Sequence, residues 1–381
     1  MHRRQSISAS SSRNNADNVP PGPDELEMTL FGPGVGECIV LHLGNGDWII
    51  VDSCTLPTDP EPVALQYLNR IEVDASKSVR WIIATHWHDD HIKGLAKILR
   101  ECRTAQFAIS AALSQKQFLQ LVLEVDAQNK LVKHSSSASE FAEILEVLAS
   151  RGAGTYVAGP AHYAQDGSRL FQGGHRGTAE VWALSPSAAT VTNANANLAE
   201  LLLTQGDSRR FKRFSPNDLS VAILVRAGAY RLLLGADLEN TAADAFGWKA
   251  VLGSTFRPNE PAHTFKVAHH GSPNAHHDDI WNRMLVPQPI AVITPYAKLR
   301  DPLPTKDDVE RIKGLAANAY CTTWPPSKKP PRRRGVDGIV SSATKSRRAI
   351  NPSSGHVRLR LDLKDPLAVP RIELFGNSKQ M

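Results

Sequence analysis

The sequence predicts an α/β protein, and three observations carry that prediction. Apolar, β-branched runs recur, and each ends in an acid or a histidine: DWIIVD closes on Asp52, SVRWIIAT leads to His86, LLLGAD closes on Asp237, and TFKVAHHGS runs into His269 and His270. Segments with apolar residues at helical spacing alternate with them, as in PVALQYLNRI, IKGLAKILREC and KDDVERIKGLAAN. The outline of the first half then returns in the second. Strand, tight turn, buried strand and terminal aspartate occur twice, each time followed by a strand ending in histidine. This reads as a pseudo-twofold duplication whose polar strand ends gather where the halves meet.

Order is expected to begin near Leu26, behind a disordered leader over residues 1–25 whose Ser, Asn and Pro content offers little to bury. The leader starts basic but has no apolar core, which argues against a secretory signal. From there EMTLFGPGVGECIVLHLGNGDWIIVDSC reads as short strands separated by Gly-rich turns. The unbroken apolar character of DWIIVD and SVRWIIAT suits strands covered on both faces. Residues 104–216, with helical EFAEILEVLAS and strand-like AEVWALSPS, are expected to be connecting structure with an insertion over the mouth of the site. LSVAILVRAGAYRLLLGAD is a second hairpin, and DDIWNRML, PIAVITP, HVRLRLDL and RIELF continue the alternation. The expected ordered unit is residues 26–376.

Apolar residues make up 41% of the 381 and charged residues 22%, enough to build a sizeable globular core. The net charge of +6 is local: Lys328, Lys329, Arg332, Arg333, Arg334, Lys345, Arg347 and Arg348 face the single acid Asp337, so the rest of the chain is nearly neutral. A loop at about 325–350 carries this basicity, and it reads either as a grip on nucleic-acid phosphates or as a solvated loop. The four cysteines are widely spaced, with no C-x-x-C pair, so neither a disulfide framework nor a zinc knuckle is indicated and reducing cytoplasm is the expected compartment. No apolar run approaches the ~20 residues of a membrane span.

The chemistry concentrates in His86-Trp87-His88-Asp89-Asp90-His91. Imidazoles two apart on an extended loop face one cation, and the Asp and His just beyond reach a second beside it. Five ionisable side chains in six residues would repel and desolvate one another without a cation.

The pattern His86, His88, Asp90, His91 resembles the HxHxDH motif of the metallo-β-lactamase superfamily. The resemblance implies a four-layer αββα sandwich over most of the chain, with His86 and His88 on a first metal and Asp90 and His91 on a second. It also implies that Asp237 bridges both metals and that Asp52 orients ligands from the floor of the site. His270 is the expected last ligand, with His269 lining the pocket or touching substrate. His276 and His277 read as surface histidines. One departure stands out: members often carry a further histidine ahead of the bridging Asp, whereas here SPNDLSVAIL offers only Asn217 and Asp218. Oxygen-richer ligation favours Mn²⁺ over Zn²⁺ at a weakened first site. GPGVGECIVL, LLLGAD and VAHHGS look most like the hydrolase domain attached to bacterial DNA-uptake competence channels and its stand-alone relatives. Those relatives resemble components of bacterial defence operons, which implies a protein partner from the same operon.

Two divalent cations about 3.5–4 Å apart lower the pKa of a shared water toward 7, so the resemblance implies hydrolysis without naming the bond. A phosphodiester of a nucleic acid or nucleotide is the first expectation, with Asp90, His269 and Asp52 as catalytic residues and Lys266 reading either as a phosphate contact or as a surface lysine flanking a strand. A lactam, lactone or thioester hydrolase, and a metal-binding sensor subunit, are the competing readings.

Overall fold

The computed structural model describes residues 16–113, 136–151, 161–203, 216–299, 301–324 and 354–381. The first part of the chain supplies β1 (Glu25–Gly32), β2 (Cys38–Leu43), β3 (Trp48–Val51), a small hairpin of β4 (Thr55–Leu56) and β5 (Asp59–Pro62), then β6 (Val79–Ala84), β7 (Gln106–Ser110) and β8 (His162–Ala164). The remainder supplies β9 (Arg169–Gly173), β10 (Ala179–Ala183), β11 (Ile223–Ala227), β12 (Tyr230–Leu234), β13 (Ala262–Lys266), β14 (Leu285–Ile293), β15 (Asn318–Cys321), β16 (Gly355–Asp362), β17 (Arg371–Phe375) and β18 (Lys379–Gln380). Two large sheets result among the described residues, one ordered β17-β16-β1-β2-β3-β6-β7-β8 and the other β18-β15-β14-β13-β12-β11-β10-β9.

The apolar runs alternate between two buried surfaces, which explains why they read as continuous. Ile49 and Val51 of β3 meet Leu232 and Leu234 of β12 in the core between the sheets, whereas Trp48 and Ile50 face the helices Val63–Arg70 and Leu95–Glu101. On the other side Leu233 and Phe265 pack against Trp248, Ile280, Trp281 and Ile312 of a second helix layer. Three apolar cores therefore separate four layers, the αββα sandwich.

The duplication expected from sequence is visible in the pairing. β2 and β3 are antiparallel and β3 then runs parallel to β6; β11 and β12 are antiparallel and β12 then runs parallel to β13. The first hairpin turns through Gly44, Asn45 and Gly46, all at positive φ, a conformation that Gly and Asn adopt with little strain. Both halves deliver their polar residues at the carboxyl ends of β3, β6, β12 and β13, where open α/β sheets bind ligands.

Two expectations need correcting. Residues 104–216, expected as connecting structure with an insertion, a helix and a strand at AEVWALSPS, contribute more to the sheets than that: β7 and β8 to one edge, and β9 beside the expected β10 to the other. The unanticipated strands β7, β8 and β9 are three to five residues long and partly polar, too short to show alternation. None of their described residues lines the cavity at the site. Within the expected leader 1–25, residues 16–24 are described and dock on the body. Asp17 bonds His356 at 2.9 Å and Arg70 at 3.1 Å, and Arg358 donates to the Ala16 carbonyl at 2.6 Å. The basic residues Lys328, Lys329, Arg332, Arg333 and Arg334 lie outside the described residues. All four cysteines are buried and free. No helix among the described residues is long and apolar enough to cross a membrane.

Candidate metal centre

After β6 the chain passes Thr85 and His86 into a loop whose first turn is closed by the His88 carbonyl, which accepts from His91 N at 2.9 Å and Ile92 N at 3.1 Å. That turn places Asp90 and His91 beside each other. The loop is tied down from the neighbouring chain: Ser53 N donates to the His91 carbonyl at 2.7 Å, and Glu37 N to the Asp90 carbonyl at 2.8 Å. Asp52, Ala236, His269 and His270 all have positive φ, a strain that concentrates at functional sites.

Three groups of candidate ligands form among the described residues; one, Glu37 with Asp52 and His91, lies behind the site, and the other two share Asp237. His86, His88 and Asp237 make one; Asp90, His91, Asp237 and His270 make the other, with the ligand atoms of each group within 4.8 Å of one another. Asp237 Oδ2 sits at the centre, 3.4 Å from His91 Nε2, 3.7 Å from His270 Nε2 and 3.9 Å from His86 Nε2. His270 Nε2 is also 3.6 Å from Asp90 Oδ2. The structure thus brings together every residue of the HxHxDH motif with Asp237 and His270.

Three of the imidazoles, those of His91, His86 and His270, are aimed by a bond on the other nitrogen. His91 Nδ1 donates to Asp52 Oδ2 at 2.8 Å, leaving Nε2 toward the carboxylates. Thr85 Oγ1 donates to Asp52 Oδ2 at 2.7 Å and lies 3.0 Å from His86 Nδ1, so Asp52 orients His86 at one remove. Asp52, a catalytic candidate from sequence, has both oxygens engaged by Thr85 and His91 and is buried behind them, the geometry of a positioning residue. His270 Nδ1 bonds the Thr294 carbonyl at 3.1 Å.

The cluster fits a cation. His91 Nε2 and Asp237 Oδ1 are buried without an aligned hydrogen-bond partner, which is costly unless something else occupies the space they face. The field agrees. Burial disfavours a charged His91, yet Asp237, Asp52 and Asp90 around it raise its pKa well above the imidazole range. Burial likewise opposes ionisation of Asp237, but His91 and His270 hold it well below the carboxylate range. Carboxylates that draw a proton so strongly draw a metal cation equally well.

His269 points elsewhere. Its Nδ1 lies 3.1 Å from Glu239 Oε1, and the same oxygen accepts from Asn217 Nδ2 at 2.6 Å, with Asn217 Nδ2 3.4 Å from His269 Nε2. Glu239 was not anticipated; the one available signal was an acid two residues beyond Asp237. Asn217 is 6% exposed and its Oδ1 is buried without a partner, which leaves that oxygen available to a cation. Asp218 faces solvent and joins neither group. His276 bonds Asp278 at 3.0 Å, and His277 accepts from Asp279 N at the start of the helix Asp278–Arg283. Lys266, read from sequence as a phosphate contact or a surface lysine, is instead fully buried with Nζ 2.5 Å from Glu37 Oε2. A cavity of about 370 Å³ opens onto the groups, lined by His88, Asp90, Asp237, His269, His270 and Tyr296 with Lys298.

Residues 31–175 match the family model described as the metallo-beta-lactamase superfamily. Among solved structures, the chain is similar to the metallo-beta-lactamase fold protein YhfI from Bacillus subtilis, with 10% identity over 77% of this chain and 95% of that one and a TM-score of 0.38. It is also similar to the metallo-beta-lactamase SMB-1 bound to 2-mercaptoethanesulfonate, at 14% identity over 60% and 70% of the two chains and a TM-score of 0.31. A variant of CmlA beta-hydroxylase matches at 16% identity over 65% of this chain and 36% of its own, with a TM-score of 0.31. No curated protein matches the chain.

Proposed function

We propose that this chain, with its metallo-beta-lactamase superfamily domain, is a metal-dependent hydrolase whose dinuclear site acts on a phosphodiester of a nucleotide or nucleic acid. The observation that carries the reading is the pair of His/Asp groups sharing Asp237, with buried ligand atoms that lack protein partners. Bound divalent cations, Zn²⁺ or Mn²⁺, would supply Lewis acidity and a source of hydroxide at neutral pH. His86, His88 and Asp237 would hold one, and Asp90, His91, Asp237 and His270 the other. Asn217, in the stretch where the resemblance leads one to expect another histidine, has a buried Oδ1 with no protein partner and would be a further candidate ligand.

For the phosphodiester, the supports are two cavity-lining side chains, His269 and Lys298, and the likeness to competence-type hydrolase domains read from GPGVGECIVL, LLLGAD and VAHHGS. His269, held by Glu239, lines the cavity as a proton-bearing group, and the exposed Lys298 adds a cation at its mouth. A small-molecule lactam, lactone or thioester hydrolase is the second reading. It is favoured by cavity size, since about 370 Å³ falls at the small end of ligand pockets.

The test offers the purified protein, with Mn²⁺ or Zn²⁺, bis-p-nitrophenyl phosphate, single- and double-stranded DNA, RNA and nitrocefin, beside His88→Ala and Asp90→Ala. Cleavage of a phosphodiester by the unaltered chain alone is the expected result. Turnover of nitrocefin and nothing else would sink the phosphodiester reading. Full metal occupancy with no turnover on any substrate would make the chain a metal-binding sensor or partner subunit.

A further inference from the structure

A lysine with no exposed surface lies one layer behind the metal centre, and its position is hard to explain by packing. Lys266 ends β13 in one sheet; its partner Glu37, 2% exposed, precedes β2 in the other. The ion pair at 2.5 Å therefore crosses from sheet to sheet at the end of the sandwich that carries the site. Removing two charges from water is costly, and replacing such a pair with apolar residues is often neutral or stabilising, so stability alone is a weak reason to keep it.

Its hydrogen bonds lead to the candidate ligands. Lys266 Nζ donates to the Ala236 carbonyl at 3.1 Å, directly before Asp237. The same carbonyl accepts from His269 N at 2.9 Å, tying the end of β12 to the segment that carries His270. Glu37 Oε2 accepts from Thr294 Oγ1 at 2.5 Å, and the Thr294 carbonyl and hydroxyl lie 3.1 and 3.3 Å from His270 Nδ1. Glu37 N meanwhile donates to the Asp90 carbonyl. One buried carboxylate thus touches the support of Asp90 in the first half and those of Asp237 and His270 in the second.

We propose that Lys266, Glu37 and Thr294 form a cross-sheet positioning device that holds His270 and Asp237 against Asp90 and His91, and so sets the affinity of the site for metal. The proposal rests on the metal-centre reading above and assigns none of the three a contact with substrate. A positioning layer of this kind typically changes metal affinity by about 10- to 100-fold when it is removed.

The experiment titrates Zn²⁺ against a chromophoric chelator in the full chain and in Lys266→Met, Thr294→Val, the two combined, and Thr294→Ser, with metal-free melting recorded for each. Thr294→Val removes one hydroxyl and no charge, so it carries the test even if Lys266→Met fails to fold. Each of the first two should weaken Zn²⁺ binding by about 10- to 100-fold, and the combination by no more than the larger, because both act through Glu37 and His270. Thr294→Ser, which restores the hydroxyl, should return affinity to within about twofold of the parent. A lowered metal-free melting point with unchanged Zn²⁺ affinity would mark the network as merely structural and overturn the proposal, as would fully additive losses. If the parent chain itself takes up no metal, the functional reading fails first and this proposal goes with it.

Discussion

Asp52 Oδ2 lies 2.8 Å from His91 Nδ1, and that bond decides which imidazole nitrogen faces the metal groups. The Asp52 carboxylate accepts three hydrogen bonds, from His91 Nδ1, Thr85 N and Thr85 Oγ1. An amide at this position must turn its NH₂ toward at least one of those donors. Asp52→Asn should therefore release His91, and through Thr85 also His86, and weaken Zn²⁺ binding by about 10- to 100-fold in a chain that still folds. Equilibrium dialysis with circular dichroism checks this; parent-like affinity would show that Asp52 does not set the tautomers.

The adjacent histidines should separate cleanly. His270 Nε2 faces Asp90 and Asp237, whereas His269 is engaged by Glu239 and lines the cavity. His270→Ala should lose metal. His269→Ala should keep its metal and lower kcat by about 10²-fold, the scale of a lost proton-transfer group, with Glu239→Gln moving the same way less far. Metal analysis beside single-turnover rates makes the distinction, and equal metal loss in both alanine variants would refute it.

Gly235 is a second point where sequence and site meet. A Cβ there would lie 2.8 Å from Ala268 Cβ and 3.0 Å from its Cα and N, so the ends of β12 and β13 approach only because the position lacks a side chain. Asp237 follows two residues later and His270 two residues after Ala268. Gly235→Val should force those segments apart at a cost of about 1–3 kcal/mol, and should lower metal affinity more than overall stability. Gly314→Ala is the control: its Cβ meets nothing within 4 Å inside the helix Lys306–Leu315, so stability should rise by about 0.5–1 kcal/mol with metal binding unchanged. Metal titration and urea unfolding of both report the contrast.

What the sequence disclosed follows a physical pattern. Trp48–Val51 and Val79–Ala84 were legible as buried strands because both faces are covered, and the motif after them because so many ligating groups rarely gather by chance. His270 could be preferred over His269 from the resemblance, but their opposite directions depend on two consecutive left-handed residues that no spacing rule announces. Glu37 and Lys266 were hidden for the opposite reason. A charged residue beside a strand normally reads as solvated, and here each is buried only because the other sheet supplies its partner. The edge strands β8 and β9 escaped because three to five partly polar residues form strands only when a neighbour pairs with them.

A fourth prediction lies far from the metal groups. His42 on β2 is 2% exposed, with Nδ1 2.8 Å from the Glu25 carbonyl and Nε2 accepting from Gly46 N at 3.1 Å. Those bonds fix the neutral tautomer, because a second proton would sit on Nε2 facing the Gly46 N–H. Burial accordingly lowers the pKa of His42 from 6.5 to about 4, against the pull of the Glu25 carbonyl. Between these values the unfolded chain binds a proton that the folded chain refuses, so stability is complete above pH 6.5 and falls as pH drops toward 4. The loss across that window is about 3 kcal/mol. His42→Gln removes the titration and keeps hydrogen-bonding groups, so its urea midpoint should vary less between pH 7 and 4.5 than the parent's. Parallel curves for the two proteins would mean that His42 is protonated in the folded state, and that the hairpin bond to Gly46 does not hold it neutral.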